Sequence, residues 1–266
     1  MKIVKNIIWI VALILIIVLI AGLGYGYYRK ITMEVKNPIA TMEVENFGTV
    51  KMELYPEIAP ETVSNFIALA NKGFYDGLTF HRIVKDFMIQ GGDKDGSGQG
   101  SAKISDLKDD GEDKEYSIKG EFISNGVDNT LEFDEGILGM ARNDYTQYSS
   151  DLKEESYNSG SSQFFIVTKK TASLNGHYTS FGKVIEGLDV VHNIENVEVK
   201  AAEGSEETEG AEVSTPVNPP KITSLKVETY GVDYGLPETL TPFDYMSWLY
   251  KQYGVDPSNL TSSSEE

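Results

Sequence analysis

The chain has 266 residues, carries a formal net charge of −18 and contains no cysteine. The lack of cysteine excludes disulfides, thiolate metal sites and a cysteine nucleophile. Because the chain is so acidic, we expect repulsion from nucleic acid and predict no nucleic-acid partner. His81, His177 and His192 lie too far apart in the sequence for a zinc-binding spacing, and we predict neither a metal nor another cofactor.

Residues 1–30 form a distinct N-terminal segment. The run from Ile7 to Leu23 is uncharged and almost wholly apolar, and tyrosines follow it. A membrane span needs roughly 20 apolar residues, and this run is long enough when the tyrosines serve as an interfacial belt. The pattern therefore predicts a signal anchor with one transmembrane helix. We expect localisation in the cell membrane, as a single-pass protein with its catalytic domain on the extracytoplasmic side. The alternative is a signal peptide that is cleaved to release a secreted protein.

Residues 31–38 read as a tether, and short alternating segments follow. Apolar and polar residues alternate on both sides of Asn46-Phe47-Gly48, which predicts a β-hairpin. Pro60 and Gly73 suit the beginning and end of an amphipathic helix. A second helical pattern spans residues 185–196, and further strands are predicted at 80–84, 136–142, 162–167, 181–184 and 222–229. Many short strands with two helices predict an all-β or β-rich single domain, either a barrel or a sandwich.

The remaining segments are polar or peripheral. Residues 94–118 are glycine-rich and then acidic, which predicts a turn-rich loop, and residues 200–220 predict an acidic, solvated loop. The C-terminal extension, residues 231–266, contains a short aromatic helix that Thr241 can cap, Pro242 can begin and Gly254 can end. This helix packs on its own domain or docks a partner, and residues 255–266 read as a frayed tail.

The stretch FHRIVKDFMIQGGD, residues 80–93, concentrates chemically useful side chains. It holds the guanidinium of Arg82, the amide of Gln90 and the large apolar side chains of Phe87 and Met88. Alternation predicts that Phe80 and Arg82 share one face of a strand. An apolar floor beside a guanidinium and an amide suits a peptide ligand better than a charged metabolite.

This stretch closely resembles the signature of cyclophilin-type peptidyl-prolyl cis-trans isomerases. The resemblance covers roughly residues 39–230. It implies a closed eight-stranded antiparallel barrel capped by two α-helices. The N-terminal transmembrane helix and the short C-terminal helix, both predicted above from the sequence pattern, are separate from this barrel. It also implies proline-containing polypeptides as substrates, and we expect a monomer that assists the folding of secreted or surface proteins.

Rotation about an X–Pro bond meets a barrier of about 18–20 kcal/mol that arises from amide resonance. Lowering it requires no nucleophile or metal, only a donor to the twisted amide and a pocket for the proline ring. The resemblance implies that Arg82 and Gln90 are catalytic. It implies that the substrate-binding residues are Phe87, Met88, Gly96, Ala141, Arg142, Gln163, Phe165, Leu174 and Tyr178.

One residue departs from the family pattern at a drug contact, and one alternative function stays open. Ser173 stands where many relatives have a tryptophan that contacts cyclosporin, which argues against sensitivity to that drug. The alternative function is a proline-peptide binding module or chaperone with little turnover. The presence of Arg82 favours the isomerase, because binding alone needs the pocket but not the donor.

Overall fold

The computed structural model describes residues 2–32, 36–202 and 212–254, and within the first helix it leaves the side chains of residues 2–5, 8 and 26–32 undescribed. The chain divides into two compact units, Met1–Lys36 and Asn37–Glu266. The first unit is the helix α1 (Lys2–Thr32), whose described apolar side chains, such as Trp9 and Leu15, are exposed. Within the described ranges, no helix meets both the length and the apolar character that a membrane crossing requires.

The second unit is built on an antiparallel sheet of eight strands. The strands are β1 (Ile39–Val44), β2 (Gly48–Leu54), β3 (Phe80–Val84), β4 (Met88–Gly91), β5 (Ile137–Met140), β6 (Phe164–Val167), β7 (Ser180–Glu186) and β10 (Ile222–Glu228). Their order across the sheet is β10-β1-β2-β7-β5-β6-β4-β3. The hairpin predicted around Asn46 is confirmed as β1–β2, with Asn46 in the left-handed region at φ 64°.

The sheet curls until its two edges meet just before β3 and β10. Thr79 and Lys221 form an antiparallel bridge. The Phe80 N–H donates to the Pro220 carbonyl at 3.0 Å, and the Ile222 N–H donates to the Leu78 carbonyl at 2.7 Å. Eight antiparallel strands are therefore present as expected, and their edges are joined by this short bridge.

Helices α2 (Pro60–Asn71) and α5 (Leu188–Glu195) contribute side chains to the buried interior. Helix α2 begins at Pro60 as predicted, but its cap comes from a distant part of the chain. The carboxylate of Glu121 accepts from the N–H groups of Glu61 at 3.0 Å and Thr62 at 2.8 Å. These contacts satisfy donors that have no partner within the helix. The described part of this unit contains three further α-helices, namely α3 (Ile104–Leu107), α4 (Lys153–Tyr157) and α6 (Tyr245–Gln252).

Buried apolar side chains form two separate clusters, which we call the interior cluster and the pocket cluster. The interior cluster lies between the sheet and the helices α2 and α5 and includes Met42, Met52, Phe66, Phe164 and Phe181. The pocket cluster comprises Met88, Phe133, Ile137, Phe165 and Val167. Successive residues of a strand point to opposite faces, so Phe164 and Phe165 of β6 belong to different clusters.

Two predicted segments differ in the structure. Helix α6 begins at Tyr245, and Asp244 caps it by accepting from the Ser247 N–H at 2.9 Å, whereas the sequence favoured Thr241 and Pro242. An aspartate carboxylate is a strong N-cap, so the helix begins after it. The rings of Tyr148 and Tyr245 lie 4.4 Å apart, which shows α6 packing on its own domain. Residues 255–266 fall outside the described residues.

The acidic segment 200–220 was predicted as a solvated loop, but the structure contains two paired strands there, β8 (Val199–Ala201) and β9 (Val213–Pro216). Strand β9 also lies against β3. Ser214 and Pro216 are buried. The pattern was missed because both strands are shorter than five residues and are interrupted by polar side chains.

Candidate active site

A β-bulge in β3 determines which face of the sheet carries Arg82. Phe80 pairs with Gly91 and Arg82 pairs with Gln90, so His81 is an extra residue on this strand. Phe80 consequently points into the interior cluster, while Arg82 points outward beside Gln90. The prediction that Phe80 and Arg82 share a face is therefore wrong, because the bulge shifts the alternation by one residue.

The outward-facing residues form one row across four strands. Arg82 of β3 lies opposite Gln90 of β4, and Gln90 lies opposite Phe165 of β6. Phe165 in turn lies opposite Gly139 of β5. Directly opposed residues are close enough for their side chains to interact. This register places a cation, an amide and an aromatic ring side by side.

Above this row is an open cavity of about 180 Å³. It brings together nine of the eleven side chains predicted for the site. They are Arg82, Phe87, Met88, Gln90, Ala141, Arg142, Phe165, Leu174 and Tyr178. Its lining combines apolar side chains with the polar groups of Arg82, Gln90 and Arg142, an arrangement suited to a small apolar ring with a polar backbone attached.

Two residues that the sequence analysis did not identify hold Phe165 in place. Phe133 is buried and stacks on Phe165 with ring centroids 5.7 Å apart. At Gly139, an added Cβ would lie 2.1 Å from Cζ of Phe165, so only glycine leaves room for the ring. A glycine inside a strand often marks such a close approach, and that signal was available in the sequence.

Arg82 is about one-third exposed and its guanidinium is fully engaged on one edge. Nε donates to Oε1 of Glu212 at 2.7 Å, and Nη2 donates to Oε2 of the same carboxylate at 2.8 Å. Nη1 donates to Oε1 of Gln90 at 3.2 Å and lies 3.8 Å from Sδ of Met88. Nη1 thus faces the cavity, and no pattern in the sequence pointed to Glu212.

Gln163 supports Gln90 from the side. The Gln90 Nε2 donates to Oε1 of Gln163 at 2.9 Å. The Gln163 Nε2 donates to the carbonyls of Gly98 at 3.1 Å and Gly100 at 2.9 Å. Gln163 borders a smaller neighbouring cavity of about 60 Å³ instead of the main one. Its polar atoms fix Gln90 and the glycine-rich loop, whereas the sequence interpretation assigned it to the substrate backbone.

Arg142 and Tyr178 form the wall opposite Arg82. The Arg142 guanidinium carbon lies 4.5 Å from the centroid of the Tyr178 ring, and its Nε donates to the His177 carbonyl at 3.2 Å. The Tyr178 ring meets Phe165 edge-on at 5.9 Å. A cation over an aromatic face is attracted to it, so this wall has a defined shape.

Gly96 was predicted to bind substrate, but the structure does not place it on the cavity. It lies in the turn after Asp93 with φ +65°, and the nearest atom to an added Cβ is Oγ1 of Thr79 at 3.9 Å. The glycine therefore serves the turn, where a left-handed backbone is required. His81 is buried, and burial lowers the pKa of its imidazole, which favours the neutral form expected of a core residue.

The described side chains include no group of three or more histidines and carboxylates placed to hold a metal ion. The arrangement offers the guanidinium groups of Arg82 and Arg142, the amide of Gln90 and an apolar pocket. These groups can bind a neutral peptide and donate hydrogen bonds to it.

Comparison with known proteins supports the same interpretation. The family described as cyclophilin type peptidyl-prolyl cis-trans isomerase/CLD matches residues 39–227. The chain belongs to this family. Isomerisation of peptidyl-prolyl bonds is accordingly the activity of this domain, and enzymes of the family work without a metal.

Individual relatives span this region to different extents. Peptidyl-prolyl cis-trans isomerase B of Bacillus subtilis is 40% identical over 156 residues, which cover 59% of this chain and 90% of the relative. Peptidyl-prolyl cis-trans isomerase ppi1 of Schizosaccharomyces pombe is 39% identical over 153 residues, 57% of this chain and 83% of the relative. A 39% identical match to peptidyl-prolyl cis-trans isomerase-like 2 of Gibberella zeae covers 59% of this chain but 23% of that longer protein.

A solved structure shows the same fold. A cyclophilin-type isomerase of Cryptosporidium parvum, crystallised in the presence of the dipeptide Ala-Pro, superposes with a TM-score of 0.54 at 28% identity. The match covers 71% of this chain and 98% of that one.

Proposed function

We propose that Arg82 is the catalytic donor of this isomerase and that the cavity beside it holds the proline ring of the substrate. When the X–Pro amide twists, its nitrogen loses conjugation and becomes a hydrogen-bond acceptor. A guanidinium is always charged and carries several rigidly placed donors, so it stabilises the twisted amide better than the planar one.

The observation that carries this proposal is the position of Nη1 of Arg82. It lies 3.2 Å from Oε1 of Gln90 and 3.8 Å from Sδ of Met88, on the polar side of the cavity that Phe87, Met88 and Phe165 line. A proline ring seated on these apolar side chains leaves its amide facing the guanidinium. Donors fixed in advance at a partly dry site lower the barrier without reorganising during the reaction.

The main experiment compares wild type with Arg82→Ala and Arg82→Lys in an assay of cis–trans exchange on an Ala-Pro peptide. We expect Arg82→Ala to lower kcat by about 100-fold, the range found when one such donor is removed. Arg82→Lys keeps the charge but not the planar fork of N–H donors. Its kcat should lie between those of wild type and Arg82→Ala.

Unfolding curves provide the control, since Arg82 is half-buried on the outer face and its removal should leave the fold intact. If wild type binds the peptide but does not accelerate exchange, the protein is a binding module or chaperone and the proposed catalysis by Arg82 is wrong. If Arg82→Ala retains wild-type turnover, another group supplies the donor.

We further propose that the N-terminal helix attaches the protein to a membrane, as a monomer with the isomerase domain on the extracytoplasmic side, where it assists the folding of secreted or surface proteins. The support is the uncharged run from Ile7 to Leu23 and the exposure of its described side chains. Burying such a surface in lipid is favourable because each apolar side chain leaves water.

Fractionation of cells that express the full-length chain tests this attachment. We expect the protein in the membrane fraction after alkaline washing, and we expect external protease to degrade the domain on intact cells. Recovery of the full-length chain from the soluble fraction would refute the anchor. Protection from protease until the cells are lysed would refute the orientation alone.

A further inference from the structure

The catalytic arginine is paired with a carboxylate that lies far away in the sequence. Glu212 accepts from Nε of Arg82 at 2.7 Å and from Nη2 at 2.8 Å, so the two groups meet edge to edge. A bidentate pair of this kind fixes the plane of the guanidinium as well as its distance. An unrestrained arginine side chain would lose rotamer entropy on being held in one geometry, and this pair holds it before substrate binds.

The edge that Glu212 occupies is not the edge that faces the cavity. Nη1 lies beside Gln90 and Met88, which line the cavity together with Arg82. Each terminal nitrogen of a guanidinium carries two N–H groups. Pairing of Nε and one N–H of Nη2 with Glu212, and donation from Nη1 to Gln90, therefore leave the second N–H of Nη1 and of Nη2 for a substrate.

Glu212 is itself held by the strand that follows it. Ser214, which is buried at 8% exposure, stands two residues after Glu212 and anchors this end of β9. Strand β9 pairs with β8 and lies against β3, the strand that carries Arg82. The carboxylate is thus delivered from ordered backbone, next to the residue it orients.

We infer that Glu212 is a positioning residue, which holds the guanidinium of Arg82 with its remaining N–H groups toward the proline amide. This inference rests on the proposed role of Arg82. A carboxylate on the outer edge would act before substrate arrives, so it should improve turnover more than substrate binding. If Glu212 instead competed with substrate for Arg82, removing Glu212 would raise turnover.

The experiment uses the full-length protein with Glu212→Ala, Glu212→Gln and the control Glu186→Ala. Glu186 is also an exposed glutamate in an ion pair, with Lys51 at 2.8 Å, but it does not line the cavity. The control therefore removes the same charge away from Arg82. Exchange on an Ala-Pro peptide gives kcat and KM, and selective ¹⁵N labelling of arginine reports the Nε–H of Arg82 directly.

We expect Glu212→Ala to lower kcat by roughly 3- to 10-fold with KM within about twofold of wild type, since the pair is half-exposed and screened. Glu212→Gln keeps one acceptor oxygen and should recover part of the loss. The Arg82 Nε–H signal should exchange faster with water in Glu212→Ala, while Glu186→Ala should match wild type in every measurement.

A kcat that rises in Glu212→Ala would overturn the inference and make the contact inhibitory. An unchanged kcat with a clearly altered Nε–H signal would also overturn it, because the pair would then form without assisting turnover. If wild type shows no isomerase activity, the proposed role of Arg82 fails, and the Nε–H signal still reports whether Glu212 orders the guanidinium.

Discussion

Phe164 and Phe165 are neighbours in β6, yet they belong to regions with different purposes. Phe164 is fully buried in the interior cluster, where its ring meets Phe66 edge-on at 5.4 Å. Phe165 is backed by Phe133 on one side and borders the cavity on the other. The interior cluster is enclosed by the sheet, α2 and α5, whereas the pocket cluster is open to one side. One short strand thus builds the core with one face and the binding site with the other.

The strongest test of this division exchanges each ring for alanine. Phe164→Ala should destabilise the protein by about 3–5 kcal/mol, because it leaves a cavity in a region that cannot collapse. Urea denaturation measures this loss. Phe165→Ala should destabilise less, because solvent can enter the open side, but it should lower kcat/KM by at least about tenfold.

The two variants must therefore separate stability from catalysis. If Phe165→Ala lost as much stability as Phe164→Ala while its residual folded fraction kept normal kcat/KM, the pocket cluster would be ordinary core. Measurements at a temperature where both variants are folded keep the two effects apart.

A second test acts on the boundary between strands β5 and β6. Gly139→Ala places a Cβ 2.1 Å from Cζ of Phe165, so the ring must shift toward the cavity. We expect an overpacking cost of about 1–3 kcal/mol and a fall in kcat/KM of roughly tenfold. Enzyme kinetics and unfolding curves check both.

The matched control is the same substitution in a Phe165→Leu background, where the smaller side chain leaves room. Gly139→Ala should then cost less stability than it does in wild type, since the two residues are in contact. Equal costs in both backgrounds would show that the ring is not the obstacle.

The smallest expected effect concerns the support behind the pocket. His192 on α5 lies 3.0 Å from both Glu195 and Glu135, and the hydrogen bond with Glu195 is the largest cause that raises the pKa of His192. Glu195 also accepts from the Asp86 N–H at 2.7 Å, in the turn before Phe87. This network connects α5 to the edge of the cavity.

Because the folded pKa of His192 is raised, its stabilisation is complete below the unfolded pKa of about 6.5 and is lost as pH rises through the folded value. Wild type should thus have a lower Tm at pH 8.5 than at pH 6, by less than about 3 °C given the screening of a partly exposed pair. His192→Gln should remove most of this difference, and calorimetry at both pH values measures it. A pH dependence that persists in the variant would assign the effect to other groups.

Much of this molecule follows from local sequence patterns. The hairpin around Asn46, the helix beginning at Pro60 and the strand from Ile222 were all predicted from periodicity and turn residues, and the structure confirms them. The barrel and the grouping of Arg82 with Phe165 came from the family resemblance, because periodicity alone does not specify how distant strands pair.

The features that were missed depend on contacts between distant residues. Glu121 caps α2 from 60 residues away, and Glu212 reaches Arg82 across 130 residues. No local pattern marks either carboxylate. Phe133 stands between acidic residues in the sequence, and its role is visible only from its stacking on Phe165.

The extra residue in β3 has a consequence for design. In a perfectly regular strand of the same sequence, Arg82 would fall on the side of Phe80, and its charge would enter a hydrocarbon interior without a partner. A redesigned β3 without the bulge would therefore lose both folding and turnover, although it would keep every side chain of the site. A sequence search that uses apolar–polar alternation to find similar sites should therefore allow one extra residue directly before the arginine.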